Sequence, residues 1–316
     1  MNHENAEIAY QKVGITGGTG LIGTALVKML REAGYKVIIF TRKKNKISED
    51  PGVFYSHWDW KKKILDGPLL RSCDYIIHLA GAGIMARRWT WIYKKEIRNS
   101  RVLSAKLIID TLNEGPSQTR AIIGASAIGY YGKDSGSVTG FLETDRPADD
   151  FLGEVCQAWE NQLTNFQKNK VRTCLIRTGI VMSREGGLFF KLKKLFRYNL
   201  VPIPGTGCQI LSWIHIYDLC KLYIYCMQNE KISGPVNACG SEPATLYQLM
   251  SVMNRRLKKF ALFYHIPPFM VRIAKGKIAN EILKSATVNN DFIRNSGFRF
   301  RFNKADDCIY NLISSR

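Results

Sequence analysis

The residues best placed to do chemistry lie near the N-terminus, in the run Gly14-Ile15-Thr16-Gly17-Gly18-Thr19-Gly20-Leu21-Ile22-Gly23. Gly17, Gly20 and Gly23 recur every third residue. Before them lies a short apolar run, Lys12 to Thr16. After them Ile22, Ala25, Leu26, Met29 and Leu30 follow the spacing of an amphipathic helix. Glycine accepts positive φ and lets the main chain come close to a bulky anion. The free N–H groups at the start of the helix then face that anion's oxygens. A strand before the turn, a helix after it and a second strand at Val37 to Phe40 are the setting in which such a triplet cradles a dinucleotide pyrophosphate. Gly17, Thr19, Gly20, Leu21, Ile22 and Gly23 are therefore the expected cofactor turn.

The end of the second strand selects between the two nicotinamide dinucleotides. An acid there holds a ribose 2′-hydroxyl, whereas an arginine suits a 2′-phosphate. This chain has Thr41-Arg42-Lys43-Lys44. A guanidinium grips phosphate bidentately and a carboxylate would repel it, so the expected cofactor is NADP, with Arg42 on its phosphate.

These residues must be held by a larger frame. Strand-like and helix-like segments alternate through the first two thirds. Tyr75 to Leu79, Ala121 to Gly124 and Thr173 to Ile176 read as buried strands, and Trp89 to Asn113 and Phe151 to Gln167 as helices. That alternation predicts an α/β fold, a Rossmann-type doubly wound parallel sheet, with a smaller C-terminal α+β part on the substrate side. The expected divisions are 1–260 for the dinucleotide-binding domain, its sheet drawn from about 10–180 and 212–240, and 261–316 for an appended domain. Further on, a basic helix is expected from Gly187 to Arg197, Asp218 as the N-cap of a helix through Met227, and Thr245 as the cap of another.

Composition narrows the function classes. With 316 residues, 46% hydrophobic and 23% charged, the chain can bury a large core and is not globally disordered. Lys plus Arg is 46 against 26 for Asp plus Glu, a net charge of +20. The basic residues form small clusters separated by acids, without a tail or interleaved aromatics, so nucleic acid is not an expected partner. The 8 cysteines include no Cys-x-x-Cys pair, which argues against a zinc site or a redox dithiol and for reduced core thiols; no metal is expected. MNHENAEIAYQK has no apolar leader-like core, and no run is long enough to span a membrane. A cytoplasmic protein with no membrane partner is expected; its oligomeric state is left open.

Taken together, GGTGLIG at 17–23, HLAGAGI at 78–84, RWT and SRV within 88–102, SAIGYYG at 126–132, DFLGEVCQAWE at 150–160, GTGCQILSWIHIYDL at 205–219 and SGFRF at 296–300 are specific. On these markers the chain resembles the atypical extended short-chain dehydrogenase/reductases labelled epimerase family proteins, with an appended C-terminal domain. The resemblance implies that Leu79, Ala80 and Gly81 lie beside the adenosine-phosphate half of the cofactor and that Asp59 meets the adenine. It further implies that Arg177 and Gly179 fall where the chain passes the nicotinamide, and that Ser126 stands in the position of the catalytic serine. His215 and Asp218 match a segment of this branch as well, with a structural histidine and a helix cap as their plainer readings.

Catalysis in that superfamily uses a Tyr-x-x-x-Lys pair on the helix after the fifth strand, the lysine lowering the tyrosine pKa. Aligned on Trp159-Glu160, this chain has Leu152 and Cys156 in those positions. A proton donor must come from elsewhere: Tyr131, Tyr130, His215 and Cys156 are the candidates, and Ser126, Tyr131 and Cys156 are the expected catalytic set. Two readings follow. One is an NADP-dependent oxidoreductase or epimerase on a small polar substrate, an anionic one if Arg87, Arg88 or Lys191 faces the cleft. The other is a catalytically silent NADP(H)-binding sensor or scaffold.

Overall fold

The computed structural model describes residues 11–44, 46–134, 139–165 and 171–314. The expected absence of a leader falls on residues 1–12 and lies outside the described residues for 1–10, as do the last two residues of the helix expected to reach Gln167.

The first half alternates as expected: β1 (Lys12–Thr16), α1 (Leu21–Glu32), β2 (Lys36–Thr41), β3 (Val53–His57), α2 (Gly67–Arg71), β4 (Tyr75–His78), α3 (Trp91–Asn113), β5 (Ala121–Ala127), α4 (Phe151–Thr164) and β6 (Arg172–Thr178). Then come β7 (Ile180–Met182), α5 (Gly187–Leu195), β8 (Leu200–Pro204), β9 (Ile210–Leu211), β10 (Trp213–His215), α6 (Ile216–Gln228) and β11 (Gly234–Ala238). The chain closes with β12 (Ala244–Thr245), α7 (Leu246–Arg256), β13 (Leu262–Ile266), α8 (Pro268–Lys275), α9 (Ala279–Leu283), α10 (Asp291–Asn295) and α11 (Ala305–Ser314).

Seven strands form one sheet in the order β11-β6-β5-β4-β1-β2-β3, every neighbouring pair parallel. The strands are apolar on both sides because both sides are covered. Val13, Ile15, Val37, Ile39, Ile77, Ile123 and Ile176 share one core with α1 and α6; Ile38, Phe40, Ile76, Ile122 and Leu175 share the other with α3 and α4. The strand order reverses between β1 and β4. There the connections leave in opposite directions and open a crevice at the carboxyl ends of the strands, where ligands of such sheets bind.

The later segments are woven back into this body. Ile293, Phe298 and Phe300 belong to the same core as β1 and α6, and Cys308, Ile309 and Leu312 of α11 pack with Leu249, Met250 and Met253 of α7. Three small two-stranded sheets, β7 with β10, β9 with β12 and β8 with β13, organise the part beyond β6. Their strands are two to five residues long, too short to leave a period in the sequence.

Thr245 caps α7 as expected, in a capping box with Gln248. Asp218 does not cap α6. The helix begins three residues earlier with His215 as N-cap, its Nδ1 accepting the Tyr217 N–H at 3.0 Å. Asp218 is instead buried and accepts the main-chain N–H groups of Arg301 and Phe302, both at 2.9 Å. It ties the chain just after the SGFRF segment to α6, which a helix-start pattern alone could not reveal.

Candidate functional site

The glycine turn is built as its sequence requires. Gly17 has φ +73°, and a Cβ there would stand 2.8 Å from the Leu79 carbonyl carbon and 2.9 Å from the Ala80 nitrogen. The turn therefore rests on the chain leaving β4, where the Leu79 N–H donates to Thr16 O at 3.0 Å. A Cβ on Gly23 would lie 2.3 Å from Gly17 O, so α1 comes in against the turn as only glycine allows. Gly20 differs: a Cβ there would meet only Gly17 O, at 3.3 Å, and otherwise open space. α1 starts at Leu21 with no side-chain cap and no acid in its first turn. Its first N–H groups and positive dipole end face that opening, which fits a diphosphate.

The other residues expected at the cofactor are distributed as follows. Arg42 leaves the carboxyl end of β2 exposed, with no ion pair among the described residues. Leu79 and Ala80 adjoin the glycine turn after β4, and Gly81 follows them over the Arg101 side chain. Asp59 follows β3, one carboxylate oxygen accepting the Lys61 N–H at 2.9 Å. Gly179 packs against main chain, 2.7 Å from Ser212 O at its Cβ position, and donates to Ala238 O. Gly17 to Gly23, Arg42, Asp59 and Leu79 to Gly81 thus share the strand ends β1 to β4. Gly179 lies further along, beyond β6.

Arg177, on β6 where the chain is expected to pass the nicotinamide, has its side chain in an interior network. It is 3% exposed, and its guanidinium is turned inward. Nε and Nη2 pair with the Glu160 carboxylate at 2.9 and 2.8 Å, and Nη1 donates to the Tyr131 hydroxyl at 2.8 Å and to Glu143 O at 3.0 Å. Burial pulls its pKa down, but Glu160 outweighs that and holds the charge firmly in place. With Tyr130 beneath it at 3.5 Å, this arginine clamps β6 to α4 and the segment after β5. Its side-chain hydrogen bonds serve this clamp.

The expected catalytic residues surround that clamp. Ser126 at the end of β5 donates to Glu160 Oε1 at 2.6 Å. Tyr131 donates to Asn237 Oδ1 at 2.6 Å and stacks on Phe141. Burial raises its pKa well above the ordinary phenol value. Its hydroxyl is thus held between Arg177 and Asn237. Cys156 is buried on α4, and burial, with Glu160 adding to it, pushes its thiol up to about 12. It is packed in the interior and stays a thiol at neutral pH. Tyr130 shares an apolar cluster with Cys156, and burial raises its pKa while Arg177 opposes the rise. His215, the α6 cap, packs 4.1 Å from Phe302.

Sequence reasoning missed Glu160 as the hub of Ser126 and Arg177; its only signal was its place beside Trp159. It also missed His78, whose Nδ1 and Nε2 meet the Thr16 and Ser104 hydroxyls at 2.6 and 3.1 Å beneath the strand ends. Burial, with Arg101 nearby, lowers His78 to about 3, and burial lowers His215 to about 4. Both histidines fold neutral, below their unfolded value, so stability is complete above about pH 6.5 and is lost as protons bind the unfolded chain preferentially. Between pH 6.5 and 4 each contributes a slope of up to about 1.4 kcal/mol per pH unit. Urea midpoints taken at pH 7 and pH 5 should show this fall, and His215→Asn, which keeps an acceptor at the cap, should flatten part of it. A midpoint independent of pH in this window would contradict the two assignments.

An open parallel sheet with a glycine-lined crevice at its reversal point defines a dinucleotide-fold protein of the extended short-chain dehydrogenase/reductase kind. Residues 13–239 match the model of the NAD dependent epimerase/dehydratase family, and the chain belongs to that family. An epimerase family protein of Mycobacterium bovis is 30% identical over 298 residues, covering 94% of this chain and 96% of the relative. The solved structure of the human epimerase family protein SDR39U1 with NADPH superposes with a TM-score of 0.84 at 24% identity, over 96% of this chain and 99% of that one. A nucleoside-diphosphate sugar epimerase from Corynebacterium glutamicum gives 0.75 at 30% identity, over 96% of this chain and 58% of that one. The fold is shared throughout. No helix among the described residues is long and apolar enough to cross a membrane.

Proposed function

We propose that this protein is an NADP(H)-dependent oxidoreductase acting on a small polar substrate in the crevice between the strand ends and the segments beyond β6. The observation that carries this reading is the open, uncapped start of α1 over Gly20, with the exposed Arg42 at the end of β2 where an NAD-preferring site would carry an acid. The human relative whose structure was solved with NADPH shares the fold and supports the choice of cofactor.

Gly17 to Gly23 and the N–H groups of Leu21 and Ile22 would hold the diphosphate, Arg42 the 2′-phosphate, and Leu79 to Gly81 would leave room for the adenosine half. The nicotinamide, when bound, supplies or accepts a hydride. The chain's own part is to orient the reacting carbon and to move a proton. With Tyr131 tied to Asn237 and Cys156 held as a thiol, Tyr130 is the residue to which proton transfer falls; its raised pKa keeps it protonated at neutral pH, as a donor must be. Glu160, itself held by Arg177, fixes Ser126 as a positioning group.

Leu152 and Cys156 in place of the tyrosine and lysine favour a second reading, an NADP(H)-occupied sensor without turnover. The two separate in one assay. NADPH-loaded protein is offered a broad set of small carbonyl compounds and absorbance at 340 nm is followed. Oxidation with any of them, lost in Tyr130→Phe with NADPH binding intact, is the expected result. Bound NADPH that survives the whole set would overturn the oxidoreductase reading in favour of the sensor.

A further inference from the structure

Arg101 is a cation without an anion. It stands on α3 in the Ser100-Arg101-Val102 run, largely covered yet partly exposed. Nη1 donates to Ala82 O and Ile97 O, both at 3.0 Å, and the guanidinium lies 5.2 Å from the Trp159 ring centre. Its central carbon would be 3.0 Å from a Cβ on Gly81, so the group sits directly under the chain that leaves β4. Its titratable neighbours are the Cys156 thiol, the Tyr93 phenol and the His78 ring rather than a carboxylate. Among the described residues no acid comes within ion-pair distance, and no acceptor faces Nε or Nη2. Burial pulls the guanidinium below its usual range, the sign of a charge that is poorly compensated.

A second observation points the same way. The segment 81–96 carries one acid, Glu96, and Lys61 pairs with it at 3.0 Å. Among the described residues the cations of that segment have no acid of their own. Arg87 lies 5.9 Å from the Tyr93 ring centre, and Tyr93 is itself anchored on Gly83 O. Lys94 lies 4.3 Å from the ring centre of Phe151, at the start of α4. Positive charge thus gathers between the end of β4 and the start of α3, facing an α4 start that carries Asp150 and Glu154. Such a field draws in anions.

We propose that Arg101 receives a carboxylate of the substrate, and that the substrate class is a small carboxylate carrying the carbonyl or alcohol to be reduced or oxidised. The two nitrogens left without acceptors, Nε and Nη2, form one edge of the guanidinium. Their N–H groups run parallel and match the two oxygens of a carboxylate. Leaving this charge unpaired is costly, and an incoming carboxylate both relieves it and fixes the reacting carbon by two bonds. The proposal rests on the oxidoreductase reading and adds the substrate's chemistry to it.

The test uses the full chain loaded with NADPH. Pyruvate and malonate are the probes, pyruvamide and malonamide their uncharged counterparts, and inorganic phosphate the competing oxyanion. Thermal midpoint and the fluorescence of bound NADPH are read. The wild type should respond to the carboxylates at least tenfold more tightly than to the amides or phosphate. Arg101→Met should lose that response at least tenfold while its NADPH dissociation constant stays within threefold, which also shows that it has folded. Arg101→Lys should recover part of the response. Should the methionine variant not fold, Arg101→Gln, which keeps a donor for Ala82 O, replaces it. A carboxylate response unchanged in the variant, an equal response to phosphate, or none in the wild type would overturn the proposal. So would equal loss of NADPH and carboxylate binding, since the anion would then belong to the cofactor. Failure of the wild type to bind NADPH at all would defeat the oxidoreductase reading instead.

Discussion

Replacing Gly20 with valine should leave a folded protein that no longer binds NADPH. Gly20 has φ −85° and ψ 179°, extended backbone that a β-branched residue adopts readily. A Cβ there meets only Gly17 O at 3.3 Å, so the turn itself tolerates it. The two methyl groups, however, enter the opening before the first N–H groups of α1. A diphosphate excluded from them loses several charge-assisted bonds, and affinity should fall by at least ~100-fold, about 2.7 kcal/mol. Gly23→Ala provides the contrast. Its Cβ would lie 2.3 Å from Gly17 O and 2.6 Å from Gly18 Cα, so that variant should fail by misfolding. Titration calorimetry beside a thermal melt separates the two. A Gly20→Val protein that melts normally and still binds NADPH would remove the turn from the cofactor site.

The second large effect concerns discrimination between cofactors. Arg42→Ala should weaken NADPH binding by about 10–100-fold and NADH binding by less than about threefold. A hydrogen bond between charged groups contributes about 1.5–3 kcal/mol, which sets that range. Arg42 is exposed and takes part in no ion pair among the described residues, so its loss should cost the fold little. Lys43 and Lys44 are exposed beside it and keep some attraction for the phosphate, which limits the loss. The measurement is a pair of titrations, NADPH and NADH, on wild type and variant. An equal loss for both would separate Arg42 from the 2′-phosphate and leave cofactor choice to another residue.

Much of the frame could be read in advance because its causes are local. A strand covered on both faces must be continuously apolar, and Val13 to Ile15, Val37 to Phe40 and Ile122 to Ile123 are. A turn pressed between a strand end and a helix must be glycine at Gly17 and Gly23, where a Cβ would strike main chain. The site's interior was not legible in this way. Arg177 carried the label of a cofactor contact, yet 17 residues away Glu160 waits on α4 to take its charge. Tyr131 looked like an acid, but its hydroxyl is held by Asn237, 106 residues on. Asp218 sat at the right place for a cap and instead fastens Arg301 and Phe302.

The amino-acid order by itself determined the alternation of elements, the glycine turn and the basic end of β2. Each follows from the preferences of neighbouring residues for a backbone shape or for a buried face. Only the tertiary structure decided which polar groups stay free. Charges and hydroxyls buried from water must find partners wherever the chain brings them, so Tyr131, Cys156 and Arg177 are absorbed into the interior while Arg42 and one edge of Arg101 are left open. Those pairings join segments far apart in the chain, and no local pattern encodes them.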